Sequence, residues 1–141
     1  CHGSEFLLTD QVVYKGLTTV PTVFHNAGLF NMGGTGAFPE PNRGLFEHTQ
    51  QASDMGKFRA PSLRNVEVTA PYMHDGRFST LEQVIDHYNS GGKISTTIDS
   101  FMEAAGGGLF LDEVDKLALI AFLKTLTDTS FIHNPSFSNP H

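Results

Sequence analysis

The chain has 141 residues, which is enough for one domain with a modest hydrophobic core. Its hydrophobic content of 39% and charged content of 17% are typical of a folded globular protein and not of a disordered segment. A formal net charge of −6 argues against a nucleic-acid partner, because binding to phosphates requires clustered lysine and arginine. No apolar run approaches the roughly 20 residues of a transmembrane helix, so the sequence predicts no membrane span.

The chain opens on Cys1-His2-Gly3, in the order found at the end of a C-x-x-C-H haem-attachment motif. In that motif the cysteines form thioethers with the haem vinyl groups, and the histidine supplies an axial nitrogen to the iron. The same dipeptide is also expected at an arbitrary fragment boundary or at a lipidated N-terminal cysteine. Because neither an initiator methionine nor the first motif cysteine is present, we expect a processed product or a fragment that begins inside the motif.

The first half of the chain is predicted to be mostly loop. Residues 5–14 hold five apolar side chains and predict a short helix or turn. Residues 20–60 are rich in glycine and proline and show no helical apolar period. An ordered loop of that length is typical of a segment that wraps around something. Five phenylalanines favour a large flat apolar cofactor as the missing core: Phe24, Phe30, Phe38, Phe46 and Phe58.

Residues 79–89 carry the clearest helical pattern. Ser79 is the predicted N-cap, and Glu82 three residues later completes a capping box. Gly91-Gly92 is the predicted end of the helix. Four apolar positions recur at i, i+3, i+4 and i+7 and therefore share one buried face: Leu81, Val84, Ile85 and Tyr88.

A last helix is predicted from near Asp112 to about Leu126, with Asp115 in its first turn. The tail from Thr127 contains two prolines and many small polar residues, which predicts an extended surface arm. No strand pattern lasts more than a few residues. The sequence therefore predicts a mainly α fold that is held together by long loops.

Two longer segments carry a family resemblance. Residues 56–66 read Gly-Lys-Phe-Arg-Ala-Pro-Ser-Leu-Arg-Asn-Val, and residues 69–78 read Thr-Ala-Pro-Tyr-Met-His-Asp-Gly-Arg-Phe. Together with residues 81–92 they resemble the C-terminal domain of bacterial dihaem cytochrome c peroxidases and of MauG. Residues 24–29 and 119–126 are similar to an earlier segment and to the closing helix of the same family.

The resemblance spans residues 1 to about 127 and leaves residues 128–141 as the tail. It implies a cytochrome c-like haem domain whose long loops wrap around a haem c. Cys1 would be a thioether anchor and His2 the proximal ligand. It further implies a separate N-terminal haem domain that reacts with hydrogen peroxide, a protein substrate or electron-donor protein, and a periplasmic location. In such proteins the C-terminal haem has six ligands and stores one oxidising equivalent.

The distal ligand distinguishes the branches of this family. MauG-like proteins place a tyrosine at the position of Tyr88, whereas ordinary peroxidases place a methionine there. A phenolate lowers the reduction potential of the iron and a thioether raises it, so Tyr88 would suit charge storage. Periodicity alone favours a core tyrosine whose hydroxyl has another partner, and the resemblance favours ligation. Met73 is the alternative distal ligand, and its other interpretation is core filler.

Several further residues are implicated by the same resemblance. His74 is similar to a family histidine near the interhaem region, where it would hydrogen-bond a propionate or tune the site; a structural role is the alternative. Arg64 is the preferred partner of a haem propionate, because a guanidinium fork matches a carboxylate. Thr69 and Pro71 match positions whose backbone carbonyls bind calcium in peroxidases, and carbonyl oxygens are suitable calcium ligands.

Residues 33–39, 42–45 and 54–56 look most like the MbnH type of MauG-like protein, whose members use peroxide to oxidise a tryptophan of a partner protein. Two other functions remain open at this stage. One is an ordinary dihaem cytochrome c peroxidase that reduces hydrogen peroxide. The other is a non-catalytic electron-transfer haem module.

Overall fold

The computed structural model describes residues 24–103 and 108–138. Within these ranges the helices and strands are, in chain order, β1 (Phe24–His25), α1 (Phe46–Thr49), β2 (Phe58–Arg59), α2 (Leu81–Asn89), α3 (Ser100–Glu103), α4 (Glu113–Lys124) and α5 (Thr129–Ile132). Strands β1 and β2 pair antiparallel, with Phe24 opposite Arg59 and His25 opposite Phe58. The described part of the chain therefore contains five α-helices and one two-stranded sheet, with long loops between them.

Helix α2 begins one residue later than the sequence pattern predicted. Thr80 has an extended backbone and is the N-cap, and its hydroxyl accepts a hydrogen bond from the N–H of Gln83 at 3.3 Å. The Gln83 side chain in turn accepts from the N–H of Thr80, which completes the capping box. The prediction of Ser79 and Glu82 as the box was therefore wrong by one position. Gly91 and Gly92 follow the helix with φ values of +78° and +65°, as the predicted termination requires.

Helices α2 and α4 pack against each other to form the described hydrophobic core. Leu81 and Ile85 of α2 are buried against Ile120 of α4. Helix α4 starts near Asp112 as predicted, and Asp112 is its N-cap, because its carboxylate accepts from two N–H groups of the first turn. An ion pair of 2.8 Å joins Lys116 to Asp86 beside this core. The predicted buried face of α2 is confirmed at Leu81 and Ile85, whereas Val84 and Tyr88 are only half-buried.

The segment before β2 is organised around Asn26 and Phe38. Asn26 is buried, and its side chain bonds both the N–H of Gly28 and the hydroxyl of Thr97 at 2.9 Å. Phe38 is buried beside Gly56. The other phenylalanines of the predicted wrapping segment remain half-buried: Phe24, Phe30, Phe46 and Phe58. These rings therefore line the interior but do not form a fully buried hydrophobic core by themselves.

The described part of the tail is not one extended arm. Asp128 accepts from the N–H of Phe131 and caps helix α5, and Asn134 caps a single 3-10 turn at Pro135–Phe137. The rings of Phe131 and Phe137 pack at 5.0 Å. This local capping corrects the prediction, although the segment does lie at the surface as expected. No helix in residues 24–103 and 108–138 has the length and apolar character to cross a membrane.

Candidate haem site

Tyr88 lies in the last turn of α2, at the end that faces the start of α4. Burial raises the pKa of its phenol, and the negative charge of Asp99 raises it further. Its hydroxyl makes no hydrogen bond to any residue that the structure describes. The side chain is therefore a half-buried neutral phenol whose oxygen has no described partner.

Asp99, whose charge acts on Tyr88, is held in place by a histidine. Nδ1 of His25 lies 2.5 Å from a carboxylate oxygen of Asp99, and the two side chains are only 12% and 13% exposed. Burial by itself would raise the pKa of Asp99, but hydrogen bonds from the His25 ring and from the N–H of Phe101 lower it. The neighbourhood of Tyr88 thus contains a fixed carboxylate.

His74 sits in a cluster of aromatic rings. Its imidazole stacks on Phe58 with centroids 3.8 Å apart, and the centroids of Phe30 and Phe38 lie 6.3 and 6.2 Å away. Burial lowers the pKa of His74, so the ring is neutral at pH 7. Its Nε2 atom is buried and has no hydrogen-bond partner among the described residues. Such an atom is expected to bind a group outside the described part of the chain.

Strands β1 and β2 connect these two groups of residues. His25, which holds Asp99 near Tyr88, is directly opposite Phe58, which stacks on His74. Residues directly opposite in an antiparallel pair have Cα atoms about 5 Å apart. The two-stranded sheet therefore links His74, through Phe58, to the His25–Asp99 pair, whose charge acts on Tyr88.

Arg77 forms the edge of the aromatic cluster. It pairs with Asp75 at 2.6 Å, donates to the backbone carbonyl of Leu29 at 2.9 Å and lies 4.1 Å from the centroid of the Phe30 ring. A guanidinium with this many partners is a structural tie between two loops.

Arg64 is not brought near Tyr88. It lies with residues 125–130, beside Asp128, at the C-terminal end of α4. Tyr88 lies at the opposite end, because Asn89 next to it bonds to Leu111. The 12 residues of α4 place these ends roughly 18 Å apart at about 1.5 Å per residue. The role of Arg64 at a propionate stays a prediction.

The remaining predicted ligands are Met73, for the haem iron, and the carbonyls of Thr69 and Pro71, for calcium. Met73 is half-buried and adopts a left-handed backbone with φ of +68°, at the start of the turn that joins Tyr72 to Phe78. Thr69 and Pro71 are exposed, and their carbonyls accept no hydrogen bond from a described residue. No cluster of three or more His, Cys, Asp or Glu side chains suited to a metal occurs in residues 24–103 and 108–138. Cys1 and His2 lie outside the described residues.

The known proteins that are similar to this chain identify its family. No protein-family model matches the chain. It is 33% identical over 136 residues to a cytochrome-c peroxidase of Denitromonas iodatirespirans, a match that covers 90% of this chain and 35% of that protein. It is 34% identical over 103 residues to the methylamine utilization protein MauG of Methylorubrum extorquens, which covers 73% of this chain and 26% of that protein.

The crystal structure of a MauG-like protein associated with microbial copper homeostasis superimposes with a TM-score of 0.83 and 45% sequence identity. The match covers 93% of this chain and 40% of that one. The chain belongs to the bacterial dihaem cytochrome c peroxidase and MauG superfamily. This membership confirms the prediction made from residues 56–92.

Cytochrome c peroxidases and MauG are peroxidase-like oxidoreductases that carry haem c. The chain spans between 21% and 35% of the length of the curated peroxidases and MauG proteins that it matches. A superfamily member of full length therefore contains much more than the segment described above.

Sequence reasoning missed two asparagines of the site, Asn26 and Asn89. Each uses its side-chain amide to bond the backbone of a distant loop, at Met55 for Asn26 and at Leu111 for Asn89. The available signal was limited to Asn89, which directly follows the candidate ligand Tyr88. Periodicity does not reveal such contacts, because their partners lie on loops.

Proposed function

We propose that this chain forms the six-coordinate haem c domain of a MauG-like dihaem oxidoreductase of the MbnH type. In the complete protein, a preceding haem domain reacts with hydrogen peroxide, and oxidising equivalents pass to tryptophan side chains of a partner protein. The observation that carries the proposal is Tyr88, a half-buried phenol without a described hydrogen-bond partner on the inward face of α2. The 45% identity to a MauG-like protein supports the choice of branch.

The residues present fit a haem. Burial and the carboxylate of Asp99 both oppose the phenolate form of Tyr88, and a ferric cation at the hydroxyl would offset that penalty. The orphaned Nε2 of His74 fits a propionate or another polar group of the cofactor. When bound, haem c supplies an iron that stores one oxidising equivalent. A cytochrome c-like wrap of residues 24–60 around the cofactor is part of the same proposal.

Each predicted residue has one role in the proposed site. His2 is the proximal ligand, Tyr88 the distal ligand and Cys1 the thioether anchor. His74 positions or tunes the cofactor from within its aromatic cluster, and Arg64 pairs with a propionate. The rings around His74 exclude water from that side of the site, which strengthens the electrostatic interactions there.

The location and a second metal site belong to the same proposal. A c-type haem is attached outside the cytoplasmic membrane, so we place the protein in the periplasm. The carbonyls of Thr69 and Pro71 supply two ligands of a calcium site, and the other ligands come from outside the described residues. Both residues are exposed, and no described residue donates a hydrogen bond to either carbonyl, which leaves the carbonyls free to coordinate.

The substitution Tyr88→Phe in the haem-loaded full-length protein tests the proposal. We expect loss of the six-coordinate ferric spectrum of one haem and the appearance of a high-spin species. The control is Tyr72→Phe, because the Tyr72 hydroxyl donates to the backbone carbonyl of Val66 at 2.9 Å and is structural. An unchanged spectrum in Tyr88→Phe would exclude Tyr88 as a ligand.

An ordinary cytochrome c peroxidase is the second candidate, and it is favoured by the relatives that carry that name. In that case Met73 is the distal ligand. An absorption band at the red end of the visible spectrum, which is diagnostic of thioether ligation, would be present and would disappear in Met73→Leu. Intact mass provides a separate check, because a chain without a covalent haem-sized increment contradicts both candidates and leaves a binding module.

A further inference from the structure

We propose that Asn89 and His87 are positioning residues that set the axial ligation of the haem by fixing Tyr88 between two anchors. This inference rests on the proposed function, since it concerns the same tyrosine. The two residues flank Tyr88 in the chain, and each bonds the backbone of a different loop. We call these hydrogen bonds the Tyr88 clamp.

The Asn89 side of the clamp uses both ends of an amide. Oδ1 of Asn89 accepts from the N–H of Leu111 at 2.8 Å, and Nδ2 donates to the carbonyl of Leu111 at 3.2 Å. The backbone carbonyl of Asn89 also accepts from the N–H of Leu109 at 3.2 Å. Gly108 lies so close that an added Cβ would be 2.3 Å from the same carbonyl oxygen. The end of α2 is therefore joined to the segment that leads into α4.

The His87 side of the clamp points to another loop. Its Nε2 donates to the backbone carbonyl of Ala27 at 2.7 Å, and its ring is half-buried against Phe78 with centroids 5.5 Å apart. Ala27 follows directly after Asn26, whose side chain is buried and bonded to Thr97. The His87 anchor is therefore attached to a part of the loop that is itself fixed.

The position of Tyr88 explains why a clamp is needed. Tyr88 is the last residue but one of a nine-residue helix, and helix ends fray. A ligand must be held within about 0.5 Å of its productive position by surrounding packing and hydrogen bonds. No described residue bonds the Tyr88 hydroxyl, so within the described chain its neighbours supply the restraint. Loosening the clamp should release the ligand more than it loosens the fold.

The test is Asn89→Ala in the haem-loaded full-length protein, read by absorption and electron paramagnetic resonance of the ferric state. Loss of two ordinary hydrogen bonds corresponds to roughly a tenfold change in an equilibrium constant. We therefore expect a roughly tenfold fall in the ratio of Tyr-ligated to unligated haem. Asn89→Asp keeps the acceptor for the Leu111 N–H but loses the donor to the Leu111 carbonyl. Its ratio of Tyr-ligated to unligated haem should lie between those of the wild type and Asn89→Ala.

Asn31→Ala is the matched control. The Asn31 amide also bridges two backbone groups, the carbonyl of Ile94 and the N–H of Gly36, both at 2.7 Å. It is half-buried like Asn89, but its partners do not adjoin Tyr88. We expect it to lower the thermal midpoint to a similar extent and to leave the ferric spectrum unchanged. On the other side of the clamp, His87→Leu should release the ligand, and His87→Gln should retain part of the bond to Ala27.

The possible outcomes separate this inference from the proposed function. If Tyr88→Phe alters the haem spectrum and neither Asn89→Ala nor His87→Leu does, Tyr88 is a ligand but the clamp does not set its ligation. The inference is then wrong and the proposed function stands. If Asn31→Ala shifts the spectrum as much as Asn89→Ala, the effect is general destabilisation and the inference is also wrong. If Tyr88→Phe changes nothing, the proposed function itself fails. Should Asn89→Ala not load haem, Asn89→Asp and His87→Gln decide the question by the same spectra.

Discussion

The imidazole of His74 lies flat against the ring of Phe58, with centroids 3.8 Å apart and 12° between the planes. The contact joins the turn after Tyr72 to strand β2 and leaves Nε2 of His74 buried without a described partner. A neutral imidazole tolerates this aromatic environment, whereas an imidazolium would be poorly solvated in it.

The first prediction is a loss of stability in acid that depends on His74. Burial lowers its pKa below 6.5, so the unfolded state binds a proton that the folded state does not. Stability from this source is complete above about pH 6.5 and is lost as the pH falls toward the lowered pKa. The difference between the thermal midpoints of unfolding at pH 7.5 and at pH 5.5 measures this loss of stability. His74→Phe should reduce the acid loss, and the same change at exposed His48 should not. An equal acid loss in wild type and His74→Phe would contradict the assignment.

The second prediction concerns the contact between Gly56 and Phe38. Gly56 has a φ of +73°, and an added Cβ would lie 2.2 Å from the Phe38 ring, which is only 4% exposed. Gly34 has the same φ but nothing within 4 Å of the Cβ position. Gly34→Ala should destabilise by about 1 kcal/mol from backbone strain alone. Gly56→Ala should reach about 3 kcal/mol, because Phe38 must also move. Equal midpoints of denaturant unfolding in the two variants would contradict the contact.

Helices α2 and α4 could be predicted from the sequence because both carry an apolar period and a polar cap. The capping box of α2 was displaced by one residue because Ser79-Thr80 and Glu82-Gln83 offer two overlapping boxes of the same chemistry. Only the extended backbone of Thr80 distinguishes them. The inward direction of Tyr88 was predictable for the same reason as the helix, namely its spacing from Leu81 and Ile85.

The surroundings of Tyr88 and of His74 were not predictable in this way. His25 and Asp99 are 74 residues apart in the chain, and Arg77 and Leu29 are 48 apart. Each pair joins loops that have no period and whose paths are fixed by many weak local preferences. The family resemblance identified candidate ligands without showing what holds them. The structure adds those supports, and it also places Arg64 away from Tyr88.

The third prediction distinguishes the two possible caps of α2. Thr80→Ala removes the hydroxyl that accepts from Gln83 N–H and should destabilise the protein by about 1 kcal/mol. Ser79→Ala removes only a hydroxyl that bonds the exposed Gln83 side chain at 3.2 Å, and should cost a few tenths of a kcal/mol at most, roughly the effect of a surface change. Denaturant unfolding of both variants measures the difference. A larger loss of stability in Ser79→Ala than in Thr80→Ala would instead support the Ser79 cap that the sequence pattern predicted.

The last prediction is that Arg77→Lys weakens the tie between the turn at Asp75 and the loop at Leu29. A lysine cannot form the planar fork to Asp75 and reach the Leu29 carbonyl while also covering the Phe30 ring. We expect a destabilisation of about 1–2 kcal/mol. Although burial by itself raises the pKa of Asp75, the hydrogen bonds and charge of Arg77 lower it, so the variant should also raise that pKa.

Arg43→Lys provides the matched control for this change. The Arg43 side chain is 27% exposed, close to the 26% of Arg77, and it also pairs with carboxylates and an aromatic ring. Its partners Glu40, Phe46 and Glu47 are all within four residues, so it ties no distant loop. We expect Arg43→Lys to lower the midpoint of denaturant unfolding much less than Arg77→Lys does. Equal losses in the two variants would mean that the long-range bond to Leu29 contributes nothing, and that the loop around Phe30 is held by its ring contacts alone.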